Sequence, residues 1–116
     1  MSQIARYRRE LRDRWLAVRL GIAGRQHQYG EIVALRRFIA HFGVDCVIDV
    51  GANAGQYATM LRRDVGFDGT IVSFEPNPQV HAKLAQAART DPRWFTHNIA
   101  LTDTDGQAQF NIMAAD

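Results

Sequence analysis

The chain has 116 residues, of which 47% are apolar, 22% charged and 9% aromatic, so it resembles one globular domain and not a disordered segment. The single cysteine, Cys46, can form neither an internal disulfide nor a cysteine-rich metal site, and no run approaches the roughly 20 apolar residues of a membrane span. The arginine-rich start also lacks the apolar segment of a secretory signal, so we expect a cytoplasmic protein.

The formal net charge of +2 is unevenly distributed. Residues 1–40 carry nine arginines against three acidic residues (+6), and residues 41–116 carry five basic against nine acidic residues (−4). Because the basic excess is modest and its spacing is helical, we do not expect nucleic acid as a partner. The four histidines are scattered without helical pairing, so no metal site is expected either.

Residues 1–30 are predicted to form an amphipathic helix followed by a linker over Gly21–Gly30, where three glycines interrupt the pattern. The arginines of the helix are interpreted as a solvated face, and Tyr7 and Trp15 as core or docking residues. Apolar residues recur at steps of three and four, the spacing of one helix face: Ile4, Tyr7, Leu11, Trp15 and Val18.

Residues 31–116 alternate between helical and strand patterns, which is typical of a parallel α/β sheet. A helix over about Glu31–Phe42 ends at Gly43. We expect Cys46 in the core and the first strand buried on both faces, and an Asp105-Gly106 turn leading into a returning hairpin strand over Gln107–Met113. The remaining predicted elements are strands Cys46–Val50, Thr70–Phe74 and Trp94–Leu101, and helices Gly55–Asp64 and Pro78–Arg89, the last with Asn77 as its N-cap.

A glycine-rich turn follows the first strand, and an acidic residue ends the second. In open α/β sheets, ligands bind at the carboxyl ends of the strands, and glycines such as Gly51 and Gly55 allow tight turning and close packing there. Glu75 lies twenty residues beyond Gly55, where a carboxylate can accept hydrogen bonds from both ribose hydroxyls of an adenosine. The structural alternative is that the glycines only form a turn and Glu75 only caps the next one.

Asn53 helps to decide which class of adenosine cofactor the site would take. It stands where the dinucleotide fingerprint G-x-G-x-x-G has its second glycine. A side chain there crowds a pyrophosphate, which disfavours a nicotinamide-dependent oxidoreductase. Asp49, two residues before Gly51, instead fits the pattern of class I S-adenosylmethionine-dependent methyltransferases, because the cofactor's ammonium and sulfonium groups favour a nearby carboxylate.

Two segments carry a resemblance to a known family. Residues 47–57 (VIDVGANAGQY) and 72–78 (VSFEPNP), with Asn98-Ile99-Ala100-Leu101-Thr102-Asp103 downstream, resemble the FkbM-type methyltransferases over about Glu31–Met113. The resemblance implies a Rossmann-like class I methyltransferase fold, here a partial α/β sheet of three parallel strands plus a hairpin, preceded by N-terminal helices. It also implies S-adenosylmethionine as methyl donor and an O-methylated product.

Carried over by position, the resemblance assigns cofactor-binding residues. Glu75 would hold the ribose, and Asn98 and Ala100 would border the adenine. Tyr57 is a further candidate, since its hydroxyl is suited to bind the cofactor's carboxylate, although packing on the helix is the competing interpretation. The methionine side would be lined by Asp49, Gly51, Asn53 and Gly55.

The family's later strand motif near the methyl-transfer site has no counterpart in residues 1–116, so no catalytic residue can be assigned. We therefore expect residues 31–116 to be the N-terminal half of a methyltransferase domain, inactive by itself and prone to self-association through exposed strand edges. The acceptor would be a small-molecule, glycan or lipid-linked hydroxyl. Two alternatives stay open: a fragment of an oxidoreductase, and a truncated, non-enzymatic remnant or interaction module.

Overall fold

A computed structural model gives the structure of the chain and describes residues 2–112. The chain divides into a helical unit (Met1–Val44 and Met60–Phe67) and a sheet unit (Asp45–Thr59 and Asp68–Asp116). Among the described residues, no helix is long and apolar enough to cross a membrane. The elements are α1 (Gln3–Ile22), a 3₁₀ turn (Gln26–Gln28), α2 (Tyr29–Phe42), β1 (Cys46–Val50), α3 (Gln56–Met60), a π-helical turn (Leu61–Val65), β2 (Thr70–Phe74), α4 (Pro78–Ala88) and β3 (Trp94–His97).

The two N-terminal helices are longer than the sequence pattern predicts. The linker predicted over Gly21–Gly30 is shorter than expected, because α1 continues to Ile22 and α2 already begins at Tyr29, which leaves residues 23–28 between the helices. Between them, the Arg25 guanidinium donates two hydrogen bonds to Gln28 Oε1 and closes a short turn. A helical glycine costs only about 1 kcal/mol, which packing elsewhere on α1 can offset. The end of α2 at Gly43, in the left-handed conformation with φ of 61°, is confirmed.

The apolar stripe predicted on α1 does not form the core of the helical unit. Leu16 and Leu20 of α1 are each 1% exposed and pack with Ile32 and Met60. Tyr7 and Trp15 belong instead to the opposite side of the helix and are exposed. Periodicity thus identified an amphipathic helix correctly, but the helix packs through a second, shorter set of leucines.

The three predicted strands form one parallel sheet in the order β1-β2-β3, but the prediction that the third strand runs to Leu101 is wrong, because it ends at His97. The fold of the described residues is therefore mixed α/β, with four α-helices and a three-stranded parallel sheet. Asn77 caps α4 as predicted, since its side-chain oxygen accepts from the amides of Gln79 and Val80 ahead of Pro78 at the first helical position. The predicted helix Gly55–Asp64 is divided into the short α3 and the π-helical turn.

The two faces of the sheet differ in burial. On one face, Ile71 and Ser73 of β2 are fully buried. Leu84 of α4 is also fully buried. On the other face, Ile48 is 65% exposed, and Cys46 is exposed too. The predictions that the first strand is buried on both faces and that Cys46 is a core residue are therefore wrong, because the fully buried residues of β2 lie on the opposite face from Cys46 and Ile48.

The predicted hairpin is wrong over the residues that the structure describes. Strand β3 ends at His97, and residues 98–112 form no strand; Met113, the predicted end of the returning strand, lies outside the described residues. Local hydrogen bonds replace the expected ladder: the Thr102 hydroxyl donates to the carbonyl oxygen of Thr104 (2.6 Å), and the Thr104 amide donates back to that hydroxyl (3.1 Å). An Asp-Gly turn makes a hairpin only if the segments on both sides of it pair.

Candidate functional site at the carboxyl ends of the strands

Glu75 connects the loops that follow the first two strands, and Asn98 adds the loop after the third. The Glu75 carboxylate accepts hydrogen bonds from the backbone amides of Asn53 and Asn77, each at 2.9 Å. The side-chain amide of Asn98 donates to the carbonyl oxygens of Glu75 (2.8 Å) and Pro76 (3.0 Å). Three of the predicted site residues are therefore brought together, and the loops that bear them are fixed at one edge of the sheet.

The turn after β1 has the backbone shape that its glycine predicts. Gly51 has a φ of 71° and Asn53 a φ of 51°, both in the left-handed region, which glycine and asparagine tolerate best. The amides of Gly51 and Ala52 both donate to the carbonyl oxygen of Phe74, at 2.9 and 3.0 Å. A Cβ atom added at Gly51 would meet no atom within 4 Å, so the surface beside this turn is open to a ligand.

Gly55 is required for packing. It has a φ of 90°, and a Cβ atom there would lie 2.8 Å from the Trp94 ring and 3.1 Å from Leu84. Real Cβ atoms essentially never lie 2.8 Å from a neighbouring atom, so the close approach expected after the turn is confirmed for Gly55. Any role of Gly55 in a ligand site would be indirect, since the glycine lets the turn after β1 lie close to Trp94 and Leu84.

Asp49 is a half-buried carboxylate near the carboxyl end of β1, and burial raises its pKa above the usual range. The Ser73 hydroxyl donates a long hydrogen bond to it (3.4 Å), which only partly opposes that shift. Ser73 in turn accepts from the Trp94 indole N–H at 2.9 Å. Among residues 2–112, no arginine, lysine or histidine forms an ion pair with Asp49.

Sequence reasoning assigned no role to Ser73 or Trp94. A signal was present: aligning the first two strand segments from their first residues pairs Asp49 with Ser73, which is the register observed. The position of Trp94 beside them depends on the register of β3 against β2 and on the space left by Gly55, neither of which a local pattern reveals.

The last two candidates are Tyr57 and Ala100. Tyr57 is on α3 and is 40% exposed. Ala100 is exposed and, with Asn98, Pro76 and Phe110, lines an open groove of about 590 Å³ formed by the segment after β3. This volume is within the range of small-ligand sites, roughly 300–1,000 Å³.

Comparison with known proteins gives no independent guide to this site. No family model, no curated protein and no solved structure matches the chain. Function is therefore inferred from the chain's own residues and their geometry.

Proposed function

We propose that the sheet unit is the S-adenosylmethionine-binding part of an O-methyltransferase of the FkbM type. The observation that carries this proposal is the position of Glu75 at the end of β2, bonded to the turn after β1 and positioned by Asn98. This is the place where an adenosine ribose is held in open α/β sheets, and the first turn beside it is open.

Among the described residues, the Glu75 carboxylate accepts two hydrogen bonds, which do not exhaust its capacity. An ionised carboxylate offers about four lone-pair sites, and the amides of Asn53 and Asn77 use two. The remaining two are suited to a pair of vicinal hydroxyls. Capping the turn and holding a ribose are therefore compatible, and the backbone amides fix the carboxylate in one orientation before a ligand arrives.

Asp49 supports the same ligand through its charge. A half-buried carboxylate without a cationic partner is destabilised in its ionised form, as the direction of its pKa shift shows. The ammonium group of a bound S-adenosylmethionine would supply the missing positive charge. It would stabilise the ionised Asp49 carboxylate, and this stabilisation would add to the binding free energy. A dinucleotide has no such cation near its pyrophosphate, and the Asn53 side chain occupies the position where it needs glycine.

In this proposal, Glu75 orients the ribose, Asp49 faces the methionine end, and Asn98 and Ala100 border the adenine. The cofactor supplies an electrophilic methyl group on its sulfonium sulfur. The chain's residues bind and orient that cofactor. The acceptor is a hydroxyl of a small molecule, a glycan or a lipid-linked compound. We assign the base that deprotonates this hydroxyl to none of residues 2–112.

Isothermal titration with S-adenosylhomocysteine and with NAD tests the proposal. We expect S-adenosylhomocysteine to bind at least tenfold more tightly than NAD. Glu75→Gln should weaken its binding by about 10- to 100-fold, the range for hydrogen bonds to a charged group. The exposed Glu31→Gln is the matched control, with the same change of charge and no expected effect. Equal affinity for NAD would contradict the proposal.

Because Glu75 also fixes the turn, its loss can act through the fold. Circular dichroism melting of Glu75→Gln separates the two effects, and Gly51→Val provides a second test. A valine at a φ of 71° is strained, and its side chain fills the open surface beside the turn. Undiminished affinity in a folded Gly51→Val variant would show that the ligand binds elsewhere.

A further inference from the structure

The side of α1 opposite to the core carries a continuous, exposed apolar stripe. At about 100° per residue, its members fall within an arc of about 80°, on the opposite side of the helix from Leu16 and Leu20. The stripe includes two aromatic residues, one of them Trp15, which is 67% exposed. We call these residues the α1 stripe: Ile4, Tyr7, Leu11, Trp15, Val18 and Ile22, which are between 47% and 84% exposed.

Arginines flank the α1 stripe on both sides. Arg8 and Arg12 lie along one flank and Arg14 along the other, as the helical spacing requires. Among the described residues, none of these three forms an ion pair, whereas Arg6 pairs with Glu10 at 3.4 Å. Their charges are therefore available to a partner, and their long side chains can lie along an apolar surface while the guanidinium groups reach outward.

A basic groove adjoins the flank of α1 that carries Arg12. It has a volume of about 450 Å³ and is lined by residues of α1 and α2, Arg12 among them. Asp13 neutralises part of its charge by pairing with Arg36 (3.2 Å) and Arg37 (3.8 Å). Arg9, also in the lining, forms no ion pair among residues 2–112, so the groove retains an excess of positive charge.

These charges select among the possible occupants of the α1 stripe. Two copies meeting through their stripes would bring unpaired arginines of both chains together, and like charges oppose that contact. An apolar stripe with aromatic residues, bordered by arginines, is instead the composition of helices that lie in the interface of an anionic membrane. An anionic bilayer provides both an apolar layer for the stripe and negative headgroups for the flanks.

We propose that α1 binds peripherally to anionic lipid bilayers, with the α1 stripe inserted at the level of the acyl-chain boundary. Arg8, Arg12 and Arg14 then contact the headgroups, while Leu16 and Leu20 keep the helix attached to its own unit. This inference does not rest on the proposed cofactor site, and either can fail without the other. It would place α1 at a membrane surface.

Vesicle sedimentation tests the proposal directly. The full chain is mixed with vesicles of phosphatidylcholine alone and with vesicles that contain about 30% phosphatidylserine. We expect pelleting only with the anionic vesicles and its loss at high salt, because the attraction is screened. Trp15 fluorescence should shift to shorter wavelength on binding; Trp15→Phe should still bind but lose the shift, since the remaining Trp94 is already buried.

Two pairs of variants localise the contact. Trp15→Asp should lower the partition coefficient at least about tenfold through the lost apolar burial, whereas Phe42→Asp, an equally exposed aromatic residue on α2, should not. Replacing Arg8 and Arg14 with glutamine should lower it about 20- to 30-fold, since each basic residue near an anionic surface contributes about fivefold. Arg89→Gln, at the end of α4, is the control for charge.

Three results would overturn the proposal. Equal pelleting with neutral vesicles would remove the role of the arginines, and an equal effect of Phe42→Asp would place the contact away from α1. Absence of pelleting, together with a dimer in light scattering that Trp15→Asp dissociates, would show that the α1 stripe is an interface between copies of the chain.

Discussion

Two aspartates, one in each unit, show how differently this chain treats a carboxylate removed from water. Asp64, in the π-helical turn of the helical unit, has a side chain that is 0% exposed and receives guanidinium groups from Arg19 (2.6 Å), Arg25 (2.8 Å) and Arg63 (3.0 Å). Asp49, in the sheet unit, is half-buried, and a serine hydroxyl at 3.4 Å is its polar contact among the described residues.

The pKa values of the two groups move in opposite directions. Burial opposes ionisation of Asp64, but the hydrogen bonds and charges of Arg63 and Arg25 outweigh it and lower its pKa. For Asp49, burial is the larger effect and raises the pKa. The Asp64 carboxylate is compensated from within the chain, which fits a structural role, whereas Asp49 has no cationic partner among the described residues and is where we propose that a ligand's positive charge binds.

The largest expected effect comes from removing the compensated charge. Asp64→Asn leaves three guanidinium groups directed at a neutral amide, and removing one partner of a buried ion pair costs about 3–5 kcal/mol. Because Arg19 and Arg63 are 41% and 51% exposed and can regain hydration, we expect a loss of about 3 kcal/mol in the free energy of unfolding. Urea denaturation followed by circular dichroism measures it.

The same substitution should remove part of the acid sensitivity. A lowered pKa in the folded state means that ionised Asp64 stabilises the fold above its unfolded pKa, near 4, and that this stabilisation is lost as the pH falls further. The wild-type chain should therefore lose stability more steeply than Asp64→Asn as the pH falls below about 4. Parallel curves would show that the arginine cluster contributes little.

The local signals of the sequence predicted the elements well, and their environment poorly. The N-cap Asn77, the stop at Gly43 and the first two strand segments depend on residues close in the chain, and all were predicted correctly. The third strand was predicted to run to Leu101 but ends at His97. Which face of α1 meets the core depends on distant residues such as Ile32 and Met60, which periodicity does not register.

The candidate site shows the same division. The glycine turn and Glu75 could be predicted because both are defined by spacing, but the hydrogen bonds that join Asn53 and Asn98 to Glu75 follow from tertiary structure. The hairpin prediction failed for the same reason: Asp105-Gly106 is a strong turn signal, yet a ladder also needs a paired strand on each side of it. No sequence pattern predicted the ion pairs of Asp64 with Arg19 and Arg25, since these arginines lie 45 and 39 residues away.

An intermediate effect is expected where the sheet unit is most tightly packed. Gly55→Ala places a methyl group 2.8 Å from Trp94, the residue that holds Ser73 beside Asp49. Gly66→Ala is the matched control, because its φ of 77° is also left-handed but no atom lies within 4 Å of the added Cβ. We expect Gly55→Ala to be less stable than Gly66→Ala by about 2 kcal/mol, within the range for overpacking. Equal losses would mean that Trp94 moves aside at no cost.

The smallest effect on stability, and the sharpest contrast with Asp64, is expected for Asp49→Asn. The amide has nearly the same shape, can still accept from Ser73 and has no charge to desolvate, so the free energy of unfolding at pH 7 should stay within about 1 kcal/mol of the wild type. Because the folded pKa of Asp49 is raised, its ionisation weakens the fold as the pH rises through that pKa, and Asp49→Asn should remove this loss. Affinity for S-adenosylmethionine should nevertheless fall about tenfold or more, since the ammonium group loses its counter-charge. Unchanged stability with weakened binding would distinguish Asp49 from Asp64 as a ligand-directed carboxylate; a stability loss near 3 kcal/mol, measured by the same urea titration, would show that both aspartates are structural.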